Sequence, residues 1–227
     1  FNGSGAQTIS GTNTFYDLTI DNAHSSSKVS ANGSSLTVQD DLLVSDGIFE
    51  SASDYVDVTI SSGATLELTG SVTVSGDWSN SGTFTHNSNT VTFDGGGAQS
   101  ITSGGSSFYN LTTASSSTAI TISDNTTVDN NLTIASGTTL ATGSNDVTVE
   151  ALLDVAGSST VNPGGKYVLE NVTVTGTLTV DADGSNSATL DFSTATGGAI
   201  DFAITGTLNL DGENDTRRAI VSGDSDS

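Results

Sequence analysis

Carboxylates dominate the chemistry this sequence can offer. Asp and Glu number 26 against four Lys and Arg in 227 residues, a formal net charge of −22 at pH 7. Two stretches crowd oxygen ligands into one turn: Asp181-Ala182-Asp183-Gly184 and Asp211-Gly212-Glu213-Asn214-Asp215. Hard cations such as calcium bind clustered carboxylates and carbonyls. Asp181, Asp183, Asp211, Glu213 and Asp215 are therefore candidate calcium ligands. Neither stretch has the glycine placement and terminal glutamate of an EF-hand loop, and Asp also suits ordinary turns. Calcium is the only cofactor the sequence suggests, and none is required.

Paired carboxylates can also hydrolyse glycosides when the two groups face each other about 5–9.5 Å apart. Asp40-Asp41 and Asp54 with Asp57 are such pairs, but in so acidic a chain pairs arise freely. A lyase acting on an anionic sugar needs a base and a cation. The only Lys and Arg are Lys28, Lys166, Arg217 and Arg218, and no long inserted loop forms a cleft. The expectation is that the chain is not an enzyme, with a polysaccharide lyase or hydrolase as the third-ranked reading.

Trp78, the single tryptophan, sits in Gly76-Asp77-Trp78-Ser79. Exposed, it is a platform for a sugar ring; at a coil corner it is packing. His24 and His86 stand alone, without the second His or Cys that a transition-metal site needs. Thr83-Phe84-Thr85, Thr90-Val91-Thr92 and Thr177-Leu178-Thr179 have the Thr-x-Thr form of ice-binding faces. Most other triplets carry one Thr, which strand propensity explains. Asn2, Asn32, Asn110, Asn125, Asn131, Asn171 and Asn214 open N-x-S/T triplets, which matter only where the source organism glycosylates asparagine.

The charge also excludes partners. Binding nucleic acid or an anionic membrane surface requires Lys and Arg to displace counterions, so neither is expected. Without cysteine there are no disulfides and no thiolate zinc sites. No segment approaches the ~18 apolar residues of a membrane helix, so membrane insertion is not expected. The chain opens at Phe1 inside a repeat, which reads as a mature product or an excised fragment.

These residues must be held by short strands. Apolar–polar–apolar triplets recur along the chain: Leu18-Thr19-Ile20, Val58-Thr59-Ile60, Val72-Thr73-Val74, Leu132-Thr133-Ile134 and Val172-Thr173-Val174 among them. Gly, Ser, Asn and Asp separate them. Alternation with a period of two, bounded by turn residues, marks half-buried strands. Residues 1–20, FNGSGAQTISGTNTFYDLTI, are echoed by residues 93–113, FDGGGAQSITSGGSSFYNLTT. Phe1 aligns with Phe93, Gln7 with Gln99, Ile9 with Ile101, Phe15 with Phe108 and Leu18 with Leu111.

Such self-similarity signals a stacked architecture. The strands are too short for a stable sandwich of this size. The prediction is an all-β, right-handed parallel β-helix (a β-solenoid) of about nine to eleven short coils, each of roughly 20–25 residues, forming a rod of about 45–50 Å. Residues 1–210 form a single solenoid, with internal repeats over about 1–92 and 93–184 and a partial third unit after them. Residues 211–227 form a polar, acidic C-terminal cap or tail. Phe15, Phe84, Phe108, Phe192 and Phe202 are expected to stack internally. An open solenoid end exposes strand edges that pair with other chains unless capped.

The pattern Phe-x-Gly-x-Gly-x-Gln-x-Ile followed by Phe-Tyr-Asn-Leu-Thr resembles the β-helix repeats of large bacterial cell-surface and secreted proteins of the adhesin kind. It covers residues 1–20 and 93–113 directly. The resemblance implies an extracellular or cell-surface location and a structural, stalk, filament or adhesive role. Its partners would be itself, end to end, or neighbouring repeats of a longer chain. The second-ranked reading is a β-helix that binds polysaccharide.

Overall fold

The computed structural model describes residues 1–23, 27–31, 33, 35–114, 119–162, 164–182, 187–192, 202–212 and 219–222. All regular structure among them is β-strand, and every strand pairing is parallel. Parallel neighbours that follow one another in sequence require the chain to wind. It does so around three walls, visited in the same order in every coil.

The first wall is one sheet of ten strands. It runs from Leu18–Asp21 through Leu42–Asp46, Val58–Ile60, Trp78–Asn80 and Ala98–Thr102 to Thr207–Gly212. The second wall starts with Gln7–Thr8, Lys28–Ser30, Ile48–Ser51, Thr65–Leu68 and Thr83–Thr85. It resumes at Thr126–Val128 after a bridge between Phe108 and Val128. The third wall contains Val72–Val74, Thr90–Phe93, Asn110–Thr113 and Asn131–Ile134. Two long strands, Asp146–Val155 and Lys166–Val174, carry the chain around a corner with a register shift between Val149 and Leu152. The fold is thus the β-solenoid that the triplets and turn residues predict. Ten rungs in the first wall agree with the expected number of coils. Nine spacings of ~4.8 Å make the rod roughly 43 Å long.

Alternation sets each wall's two faces. Leu18, Leu42, Val58, Trp78, Ile101 and Ile122 lie in register up the first wall, and none is more than 2% exposed. Val72, Val91, Leu111, Leu132, Leu153 and Val172 do the same in the third. Each such aliphatic side chain contributes about 1.5–3 kcal/mol on leaving water. Between them the outward residues Thr73, Thr92, Thr112 and Thr133 form a threonine column, interrupted at Asp154 and resumed at Thr173.

Buried asparagines close the corners. Asn80, 1% exposed, donates from Nδ2 to Ser103 O at 2.7 Å and accepts Gly82 N–H at 2.9 Å. The chain passes so near this point that a Cβ on Gly104 (φ +62°) would lie 2.3 Å from Asn80 O. Only glycine fits there.

Three details of the winding are not legible in the sequence. The long sequence repeat does not stack in phase: Gln7 pairs with Val29 in the second wall, whereas Gln99 pairs with Ile120 in the first. Leu18 likewise belongs to the first wall and Leu111 to the third. The repeat length is not a whole number of coils, and all three walls accept the same inward side chains. The phenylalanines form no single column for the same reason. Phe84 and Phe108 meet at 5.5 Å, but Phe15 packs on Phe1 at 6.1 Å, and the Phe202 side chain lies outside the described residues. Finally, the boundary expected at 210 falls inside a strand. Thr207–Gly212 pairs with Thr177–Ala182, and Ala219–Ser222 pairs with Ala188–Asp191.

Candidate functional site

The fold brings two of the five calcium candidates side by side. Asp181 and Asp211 are paired in adjacent strands of the first wall. Asp183, Glu213 and Asp215 lie outside the described residues, as do the side chains of Asp181 and Asp211. Among the described residues no group of three or more His, Cys, Asp or Glu is placed to hold a metal ion.

Trp78 is not a sugar platform. It points inward, is 1% exposed, and packs edge-on against Phe84 at 4.7 Å and against Phe108 at 5.4 Å. Alternation in Trp78–Asn80 dictates this, because Ser79 takes the outward position. Its indole Nε1 is buried without a hydrogen-bond partner.

One member of each acidic pair, Asp41 and Asp57, belongs to a column that sequence reading missed. Leu18 N–H donates to Asp41 O, Leu42 N–H to Asp57 O and Val58 N–H to Asp77 O. Asp17, Asp41, Asp57 and Asp77 therefore follow one another up the corner before the first wall, one per coil. Their carboxylates bond the backbone of the next coil. Asp57 accepts Asp77 N–H at 2.6 Å and Asp77 accepts Ser100 N–H at 2.7 Å. Asp54 does the same for Thr73 N–H at 2.9 Å. Partial burial, then the charges of Asp57, Asp40 and Asp17, push the Asp41 carboxyl above its ordinary value. A hydrogen bond to Asp40 raises the neighbouring Tyr16 phenol. Chemically this is a ladder of carboxylates bonded to peptide N–H groups, standing on an outer corner.

A second cluster joins three coils. Asp129 Oδ2 receives His86 Nε2 at 2.9 Å and the Ser107 hydroxyl at 2.9 Å. Ser88 N–H donates to His86 Nδ1 at 3.0 Å, which places the imidazole proton on Nε2, facing Asp129. The turn that does this holds Asn87 and Ser88 at positive φ, 46° and 59°. His86, alone in the sequence, is thus tethered in the fold. The three residue types are those of a nucleophilic triad, but the order differs. Serine and histidine both bond the carboxylate, which makes Asp129 the shared acceptor in place of a serine–histidine–aspartate relay. His24 lies outside the described residues.

Tyr55 and Tyr167 are buried, bonded to Ser51 Oγ at 2.7 Å and to Ser159 Oγ at 2.8 Å, and burial pushes both phenols far above their usual range. Lys28 spans two coils, reaching Glu50 at 2.8 Å and Glu67 at 2.6 Å. Those two bonds raise its amine to about 12, and the same lysine lowers the Glu50 carboxyl. A groove of about 340 Å³ is lined by Ser35, Leu36, Ser51, Ser53 and Thr69, with no ionisable side chain.

Three of the N-x-S/T asparagines bond neighbouring coils. Asn110 Oδ1 accepts Asn130 Nδ2 at 2.9 Å, and Asn110 Nδ2 donates to Thr90 Oγ1 at 3.2 Å. Asn125 Oδ1 accepts Asp146 N–H at 3.0 Å, and Asn171 Nδ2 donates to Ala151 O at 3.2 Å. Asn32 and Asn214 lie outside the described residues.

The large apolar side chains left open occupy both ends of the rod. Among the described residues the exposed ones are Phe1 (38%) and Tyr16 (67%) in the first coil, and Ile204 (36%) and Leu210 (53%) near the last. Compared with family models, curated proteins and solved structures, the chain finds no match.

Proposed function

We propose that this chain is a structural assembly module of an extracellular surface, stalk or filament protein, whose ends are covered by further solenoid coils. The observation that carries the reading is the placement of its exposed apolar side chains: Phe1 and Tyr16 at one end, Ile204 and Leu210 at the other. Exposed strand edges flanked by apolar side chains pair with other strands unless something covers them. The long sides are different. They carry threonine, asparagine and aspartate, whose side chains bond to neighbouring coils, and the net charge of −22 keeps them soluble and apart. Calcium, if bound, would act at the C-terminal acidic stretch as a structural ion.

Analytical ultracentrifugation and negative-stain electron microscopy of the isolated chain test this. Rods lengthening in steps of roughly 43 Å with concentration are expected, and Leu210→Lys should suppress them. Strictly monomeric rods at high concentration and moderate salt would overturn the reading. Carbohydrate binding is the second reading, and the groove between Leu36 and Thr69, lined by serine hydroxyls, favours it. A glycan array decides between the two: specific binding that Ser53→Trp abolishes would replace the structural reading.

A further inference from the structure

Both ring nitrogens of His86 are engaged, and by opposite kinds of group. Nε2 faces Asp129 Oδ2 at 2.9 Å, two coils above, where the carboxylate also takes the Ser107 hydroxyl. Nδ1 accepts Ser88 N–H at 3.0 Å inside its own turn. As the neutral Nε2–H tautomer the imidazole therefore ties a turn of one coil to a carboxylate of another.

The turn depends on that tie. Asn87 and Ser88 both sit at positive φ, 46° and 59°, a region that serine seldom adopts. Asn89 N–H donates to His86 O at 2.9 Å, and Asn87 Nδ2 donates to Leu68 O at 2.9 Å. The turn thus caps a carbonyl of the coil beneath, at the corner between the second and third walls.

A proton on the ring acts differently at its two ends. Imidazolium donates from both nitrogens and accepts at neither. At Nε2 the bond to Asp129 survives and becomes charge-assisted. The Tyr109 ring, 5.6 Å away at a 31° tilt, lies within reach of the new cation. At Nδ1 the added proton meets Ser88 N–H, donor against donor. The ring is held on the Asp129 side, so the turn yields. The other ionisable groups around it supply no replacement acceptor. Glu67, the register partner of Thr85 in the strand beneath, is bonded to Lys28 at 2.6 Å. Residues 68–71, under the turn, carry no ionisable side chain. Asp129 and Tyr109 face the ring from the coils above.

We infer that His86 is an acid-operated latch: neutral, it holds the Asn87-Ser88 turn closed on the coil beneath, and on taking up a proton it releases Ser88 while keeping Asp129. The range to search is about pH 5–8, where histidine side chains change charge.

Heteronuclear NMR of the full chain, with labelled nitrogen, tests the latch. At about pH 8 the ring nitrogens should report the Nε2–H tautomer. Lowering the pH to about 5 should cut the protection of the Ser88 amide, corrected for its intrinsic exchange rate, about tenfold, as expected for one lost hydrogen bond. The amides of Val91 and Leu111 should stay protected. His86→Asn puts an acceptor that takes up no proton near the position of Nδ1, and Ser88 protection in it should not change with pH. Asp129→Asn should keep the response, because the ring and not the carboxylate takes the proton. Unchanged Ser88 protection in the parent, an Nδ1–H tautomer at the higher pH, or an equal loss in His86→Asn would each overturn the latch. So would a response that Asp129→Asn abolishes, which assigns the switch to the carboxylate, and so would a parallel loss at Val91 and Leu111, which is general unfolding.

Discussion

Replacing Trp78 separates a core side chain from a binding platform. With the indole 1% exposed and in contact with two rings, Trp78→Ala loses the transfer energy of a large aromatic and leaves a cavity, about 3–5 kcal/mol. Trp78→Phe behaves differently. The phenyl ring is roughly 40 Å³ smaller, which at ~24 cal/mol per Å³ of residual cavity costs about 1 kcal/mol. The same change removes a buried N–H that has no acceptor, and an unsatisfied buried donor costs about 1–3 kcal/mol. The two effects offset, so Trp78→Phe should stay within about 1 kcal/mol of the parent, or gain slightly. Urea unfolding followed by far-UV circular dichroism measures both variants. Trp78 is the only tryptophan, so acrylamide quenching of the parent checks its burial independently. An Ala variant as stable as the parent, or a freely quenched indole, would refute the reasoning.

Other perturbations follow from the same geometry. Asn80→Ala leaves Ser103 O and Gly82 N–H without their side-chain partner and should cost about 2–4 kcal/mol by urea midpoint, against under about 0.5 kcal/mol for the outward Thr112→Ala. Lys28→Ala removes a half-exposed pair of ion bonds and should cost about 0.5–1 kcal/mol in dilute buffer, less in 1 M salt. Because Lys28 lowers the Glu50 carboxyl, that stability is present above the ordinary carboxylate pKa and disappears as pH falls through the lowered one; a thermal-melt series across the acid range should show it. Asp41 has the opposite sign. Its folded pKa is raised, so its ionisation opposes folding as pH rises from the ordinary value through the raised one, and Asp41→Asn should raise the melting temperature slightly at pH 7 and not at pH 3.

The sequence shows the solenoid because its code is local. Each Leu-Thr-Ile or Val-Thr-Val triplet declares its own inward and outward residues, and parallel stacking repeats that choice in the next coil. Ten rungs could be estimated from spacing alone. Wall assignment could not, since an inward Leu111 and an inward Leu18 look alike although they line different walls. The chemistry was harder to see. His86 and Asp129 are 43 residues apart and meet only because the chain winds two turns between them; no short motif marks them. The Asp17, Asp41, Asp57 and Asp77 column has irregular sequence spacing for the same reason, since coil lengths vary. Trp78 was open to two readings until alternation in its own strand placed Ser79 outside. That parity was already written in the residues.

The mismatch between repeat length and coil length has a consequence for how such rods grow. A duplicated stretch that enters the winding at the wrong wall still presents greasy side chains inward and hydroxyls outward. Insertions therefore need not arrive in whole turns. A gene for this architecture can lengthen by thirds of a turn, and the price is only a rotation of everything displayed beyond the insertion. Whatever the rod carries on its sides can in this way be re-aimed around its axis without redesigning the core.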